Sequence, residues 1–119
     1  MGDGLGPLPE VTDEVMRERL QGTRAYTLVI LKHGPNYGTP GADRIIWEHG
    51  RRNMALRQAG ELAIVCPVRD DTEVAGIGIF GRDPEAVREI IAGDPAVLAG
   101  VLTFEVHATR GFPGDALPS

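Results

Sequence analysis

Between Arg24 and Lys32 the chain reads Ala-Tyr-Thr-Leu-Val-Ile-Leu, a β-forming run without the alternation of apolar and polar residues that marks a strand with one face in water. Such a strand needs cover on both faces. It is far too short to cross a membrane as a helix, so the cover has to come from the rest of the chain or from a partner. The order of elements around this run therefore decides what the chain can become.

Thr12 reads as an N-cap followed by Asp13 and Glu14 in a first turn, with Val11 and Met16 spaced as a hydrophobic staple and Gly22 as the stop. Strand one is followed by Gly34-Pro35-Asn36-Tyr37-Gly38-Thr39-Pro40-Gly41, a long turn-prone loop. A helical stretch then runs to Gln58 and closes at Gly60, with Ile45, His49, Asn53 and Leu56 along one stripe and Gly50 weakening its middle. Glu61 to Val68 gives strand two, Arg69 to Glu73 a polar turn, and Val74 to Phe80 strand three. Asp83-Pro84 opens a second main helix whose inner face is Val87, Ile90 and Ile91, ending at Gly93. Asp94-Pro95 repeats the start signal for one short turn ending at Gly100, and Val101 to His107 is strand four.

The order is β-α-β-β-α-β after a lead-in helix, an α+β, ferredoxin-like split βαβ arrangement with a four-stranded antiparallel sheet ordered 4-1-3-2. The expected organisation is a mobile arm and short helix over 1–22, one domain over 23–108 and a Gly/Pro-rich tail over 109–119. Two main helices cover only one face of such a sheet, and a homodimer formed through the other face is the expected solution.

Seventeen acidic against twelve basic side chains give a net charge of −5, which speaks against a general nucleic-acid binder and against a basic membrane patch. The single cysteine, Cys66, allows no intrachain disulfide, and no apolar run suits a signal peptide or membrane span, so the cytoplasm is the expected location. Gly76-Ile77-Gly78-Ile79-Phe80-Gly81 has the spacing G-x-G-x-x-G, but it lies within a strand. The dinucleotide fingerprint has to turn from a strand into a helix, so close packing by small residues is the better reading.

The topology sorts the polar residues by sheet end. His33, Cys66 and the start of strand four share one end, where the first main helix begins and the second finishes, so His49 and Asp94 fall in one neighbourhood. His107 belongs to the other end, roughly 20 Å from His33 along the strands, which argues against a three-histidine metal site. His49 has two readings, a core histidine with one hydrogen-bond partner or an acid–base group. Asp94 is an N-cap that can also orient an imidazole. Cys66 reads as an inert buried thiol or as a nucleophile, and Arg51-Arg52 as a solvated face or as an anion contact. In the loop, Asn36 offers a polar handle, and Tyr37 offers an aromatic wall or a contact to a dimer partner.

Leu31-Lys32-His33-Gly34-Pro35, Glu48-His49, Leu56 to Gly60, Pro67, Gly76 to Phe80 and Asp94-Pro95-Ala96-Val97 to Gly100 resemble the YCII-related (YciI-like) domain over about residues 24 to 107. The resemblance implies a ferredoxin-like dimer of the α+β barrel type with His49 and Asp94 as the catalytic pair; the topology and the loop, independently of it, make His33, Asn36, Tyr37 and Cys66 the expected substrate-binding residues. Where the family commonly has Gly-Gly-Pro at the end of strand two, this chain has Val65-Cys66-Pro67, which places larger side chains at the pocket wall. One protein resembling the family eliminates chloride from a chlorinated aromatic, and by analogy a lyase-like or isomerase-like reaction on a small organic molecule, without cofactor or metal, is expected. The alternative is a non-catalytic dimer that binds a metabolite or regulates.

Overall fold

The computed structural model describes residues 4–119. Part of the expected mobile arm falls on residues 1–3, which lie outside the described residues. The chain divides into two compact units, Met1–Arg24 with Gly111–Ser119, and Ala25–Arg110. The N-terminal segment and the C-terminal tail, expected as separate segments, thus belong to one unit. Within it α1 (Asp13–Gln21) starts as its sequence predicts, with Thr12 Oγ1 accepting from the Val15 N–H at 3.2 Å. No residue of α1 is buried, and the two expected staple residues Val11 and Met16 are each about half exposed.

The larger unit contains β1 (Arg24–His33), α2 (Ala42–Gln58), β2 (Leu62–Pro67), β3 (Val74–Phe80), α3 (Pro84–Ala92), α4 (Pro95–Leu98) and β4 (Leu102–Gly111), apart from the two outermost strand residues. The fold is α+β with a four-stranded antiparallel sheet ordered β2-β3-β1-β4, which is the expected 4-1-3-2 read from the opposite edge. Strand four corrects the expected boundary at His107. It continues to Gly111, because Ala108, Thr109 and Arg110 contain no breaker and the first Gly/Pro signal is Gly111-Phe112-Pro113.

Pairing of Leu28 with Ile79, Val29 with Gly78 and Leu31 with Gly76 sorts β1 into two faces. Thr27, Val29 and Leu31 are buried in the core, while Leu28 and Ile30 are half-buried on the other face. Apart from Thr27 both sets are apolar, which is why the primary sequence shows no alternation although burial alternates from Thr27 to Leu31. The core joins the first set to Leu62, Phe80, Val87, Ile91, Ala96, Val101, Leu102 and Val106, with Ile45, Ile46 and Leu56 of α2 packed against it. Thr27 is fully buried, and its hydroxyl donates to the Arg82 carbonyl at 2.6 Å, satisfying a polar group that would otherwise be stranded.

Helix α2 survives Gly50 and ends in a Schellman turn: Gly60, at φ +80°, donates to Arg57 O and Glu61 donates to Leu56 O. The loop after β1 is stitched to the turn before β4. Gly34 N–H donates to Val101 O at 2.8 Å, Asn36 N–H to Gly100 O at 2.9 Å, and Asn36 Nδ2 to Ala99 O at 2.8 Å. A Cβ at Gly34 would fall on the Gly100 carbonyl, so the backbones touch there with no room for a side chain. No described helix is long and apolar enough to cross a membrane.

Candidate functional site

Asp83 and Asp94 each precede a proline and each cap a helix. Asp83 Oδ1 accepts from the Ala86 N–H at 2.8 Å, and Asp94 Oδ2 accepts from the Ala96 N–H at 2.9 Å. Only Asp94 does more. Its second oxygen meets His49 Nδ1 at 2.9 Å, and its side chain is 2% exposed against 13% for His49. The two readings of Asp94, cap and partner of the imidazole, are therefore both realised, one oxygen to each. The neighbourhood expected from topology alone is a direct hydrogen bond.

Burial by itself pushes the Asp94 carboxyl up. The hydrogen bond and charge of His49, the Ala96 N–H and the Arg52 guanidinium outweigh it and hold the group below the ordinary carboxylate range. Arg52 Nη1 lies 3.9 Å from Asp94 Oδ1 and is buried without a hydrogen-bond partner of its own, so its contribution is charge rather than a bond. Of the two readings of Arg51-Arg52, a solvated face describes Arg51, which bonds Glu48 at 3.2 Å, but not Arg52.

An ionised carboxylate only accepts, so Nδ1 of His49 carries the hydrogen and Nε2 of the neutral ring carries the lone pair. Asn53, one helical turn on and buried at 9% exposure, presents Nδ2 to that lone pair at 3.2 Å. Sequence reasoning placed Asn53 on the apolar stripe and gave it no role. An amide four residues after a histidine on the inward face of a helix is the signal that could have found it.

His49 and Asn53 border a cavity of about 410 Å³ between α2 and the sheet, walled by Leu31, Ile46, Val65 and Leu102. His33 and Tyr37 form one side, their rings stacked 3.7 Å apart and within 9° of parallel. Gly76 leaves the floor as bare backbone beside the Cys66 carbonyl. The expected site residues thus separate. His33, Tyr37 and His49 line the cavity, and Asp94 stands behind His49. Asn36 does not line it, because its amide is bound to the Ala99 carbonyl.

Cys66 reaches the cavity wall, yet it pairs with Ile77, whereas the core-side residues of β3 are Gly76, Gly78 and Phe80. Its thiol therefore belongs to the opposite face of the sheet, and its main chain borders the cavity. A bulge between Leu62 and Ile64 is the cause: it shifts the parity of β2 so that Val65, not Cys66, shares the face of Leu62. The larger side chain that the Val65-Cys66-Pro67 segment turns to the cavity is that of Val65.

His107 is exposed on β4 and bonds Glu105 at 3.0 Å, and Glu105 also holds Lys32 at 2.5 Å. Among the described residues no group of three or more His, Cys, Asp and Glu is arranged to hold a metal ion. Neither a protein-family model nor a curated protein matches the chain.

Proposed function

We propose that the His49–Asp94 pair and the adjoining cavity form an acid–base site in which His49 exchanges a proton with a small organic molecule, driving elimination, isomerisation or hydrolysis. The observation that carries this reading is the 2.9 Å bond between a nearly fully buried carboxylate and an imidazole that borders a cavity. Asp94 fixes the ring and its tautomer and stabilises the imidazolium that forms when Nε2 takes a proton. His33 and Tyr37 offer a flat wall for a substrate. The chemistry asks for no cofactor. The resemblance to the YCII-related domain points the same way, and a cytoplasmic location belongs to the same proposal.

A second reading, a non-catalytic dimer that binds or senses a metabolite, is favoured by one specific observation. The lone pair of Nε2 is met by the Asn53 amide at 3.2 Å, so proton abstraction requires Asn53 to give way. At that length the bond is at the weak end for N–H···N, and a substrate hydroxyl competes for it well.

The homodimer belongs to the same proposal. Leu28, Ile30, Ile64, Ile77 and Ile79 are half-buried on the sheet face opposite α2 and lie outside the core cluster, and a second copy would cover them.

A panel of lactones, enols and halogenated phenols incubated with the wild-type chain and with His49→Ala tests the enzyme reading. Turnover that falls about 100- to 10,000-fold in the variant supports it. Turnover undiminished in His49→Ala overturns it, and a compound that binds and is recovered chemically unchanged supports the second reading.

A further inference from the structure

The charge around the cavity differs from the charge of the chain. Acidic residues outnumber basic ones seventeen to twelve overall, yet among the described residues no Asp or Glu lines the cavity. The lining instead includes Arg57, His33, His49 and Asn53. The Asp94 carboxylate is committed behind His49: one oxygen accepts from Nδ1 and the other from the Ala96 N–H.

Arg57 is available. On the same helix Arg51 is held by Glu48 and Arg52 stands beside Asp94, whereas no carboxylate among the described residues lies within 4 Å of the Arg57 guanidinium. Its own bond is to Met54 Sδ at 3.9 Å, a contact with a poor acceptor that a carboxylate readily replaces. A cationic ligand would find no counter-charge in this cavity. An anion would meet an arginine fork whose planar donors match a carboxylate or phenolate, and a hydrogen bond to a charged group is roughly twice as strong as a neutral one. The remaining walls, Leu31, Val65 and Leu102 with the stacked His33–Tyr37 pair, suit an apolar, flat body. The volume, about 410 Å³, is at the small end of ligand sites.

We infer that the cavity takes a small, largely apolar monoanion, a carboxylate or phenolate, whose charge is held by Arg57 while its body lies against the His33–Tyr37 pair. This rests on the reading of the cavity as the ligand site and adds the charge and shape of what enters it.

Benzoate, benzyl alcohol and benzylamine share one ring and differ in charge, and titrating each into the isotope-labelled chain while following the backbone amides of Gly76, Ile77 and Leu102 tests the inference. Benzoate is expected to bind at least about tenfold more tightly than the other two, a difference of about 1.4 kcal/mol. Arg57→Gln, at an exposed position, is expected to abolish that advantage, Arg57→Lys to keep part of it, and His49→Ala to retain it. Benzylamine or benzyl alcohol binding as tightly as benzoate, or benzoate binding unchanged in Arg57→Gln, overturns the inference about charge and leaves the acid–base reading standing. Absence of shifts with all three probes overturns the inference about the ligand and leaves the acid–base reading to the turnover test. Benzoate binding retained in His49→Ala together with undiminished turnover in that variant overturns only the catalytic role.

Discussion

At the scale of single residues, Asp94 ties function to stability. Because its carboxyl is held below its ordinary value in the fold, the stabilisation it gives is complete well above the unfolded value of about 4. That stabilisation is lost progressively as the pH falls through the lower folded value. Asp94→Asn removes the charge and leaves one of two N–H donors poorly matched, and is expected to destabilise the chain by about 1–3 kcal/mol at pH 7. Urea unfolding across a pH series checks this: the gap between wild type and variant should close as the pH falls below about 4. A gap that persists unchanged at pH 2 would show that geometry, not charge, is what Asp94 supplies. Asp94 was legible in the sequence because Asp-Pro has a fixed meaning at a helix start and β-α-β-β-α-β order fixes which ends meet. Asn53 was not, because a stripe at helical spacing says which residues face inward and nothing about what an inward amide will touch.

At the scale of elements, three segments hold the site. Helix α2 carries His49 and Asn53, the four-residue α4 exists where Asp94 caps it, and the loop after β1 delivers Tyr37 onto His33. The loop and the turn preceding β4 are joined where Gly34 lies on Gly100, which itself sits at φ +71°. The three nearest obstacles to a side chain at Gly34, in Gly100 and Val101, are all backbone atoms, so none can swing away. Gly34→Ala is therefore expected to destabilise the chain by about 2–3 kcal/mol, measurable by chemical denaturation, with loosening of the His33–Tyr37 stack. The loop was visible from its Gly and Pro content, but its role was not. Asn36 read as a handle for a ligand and is instead a clamp on Ala99, since a polar side chain in a loop is satisfied by whichever carbonyl the fold brings near. Parity failed in β2 for a comparable reason. One extra residue between Leu62 and Ile64 inverts every side chain after it, and no residue type there announces a bulge.

At the scale of the whole molecule, the proposed dimer and the proposed site make separate demands on the two faces of the sheet. Leu28, Ile30 and Ile79 face away from α2 and none of them lines the cavity, so a charge placed at Ile30 leaves the cavity residues alone. Sedimentation at micromolar concentration is expected to give a dimer for the wild-type chain and a monomer for Ile30→Glu; a wild-type monomer contradicts the assembly. The Asn36–Ala99 clamp brings together residues 63 apart in the chain, and the His49–Asp94 bond residues 45 apart, with β2 and β3 between them. Closing contacts of such sequence separation costs loop entropy, which the packing of the intervening elements offsets. The dyad bond thus reports on threading: a copy whose chain from the end of β1 to the start of β4 is not in place lacks the Asp94 contact at His49.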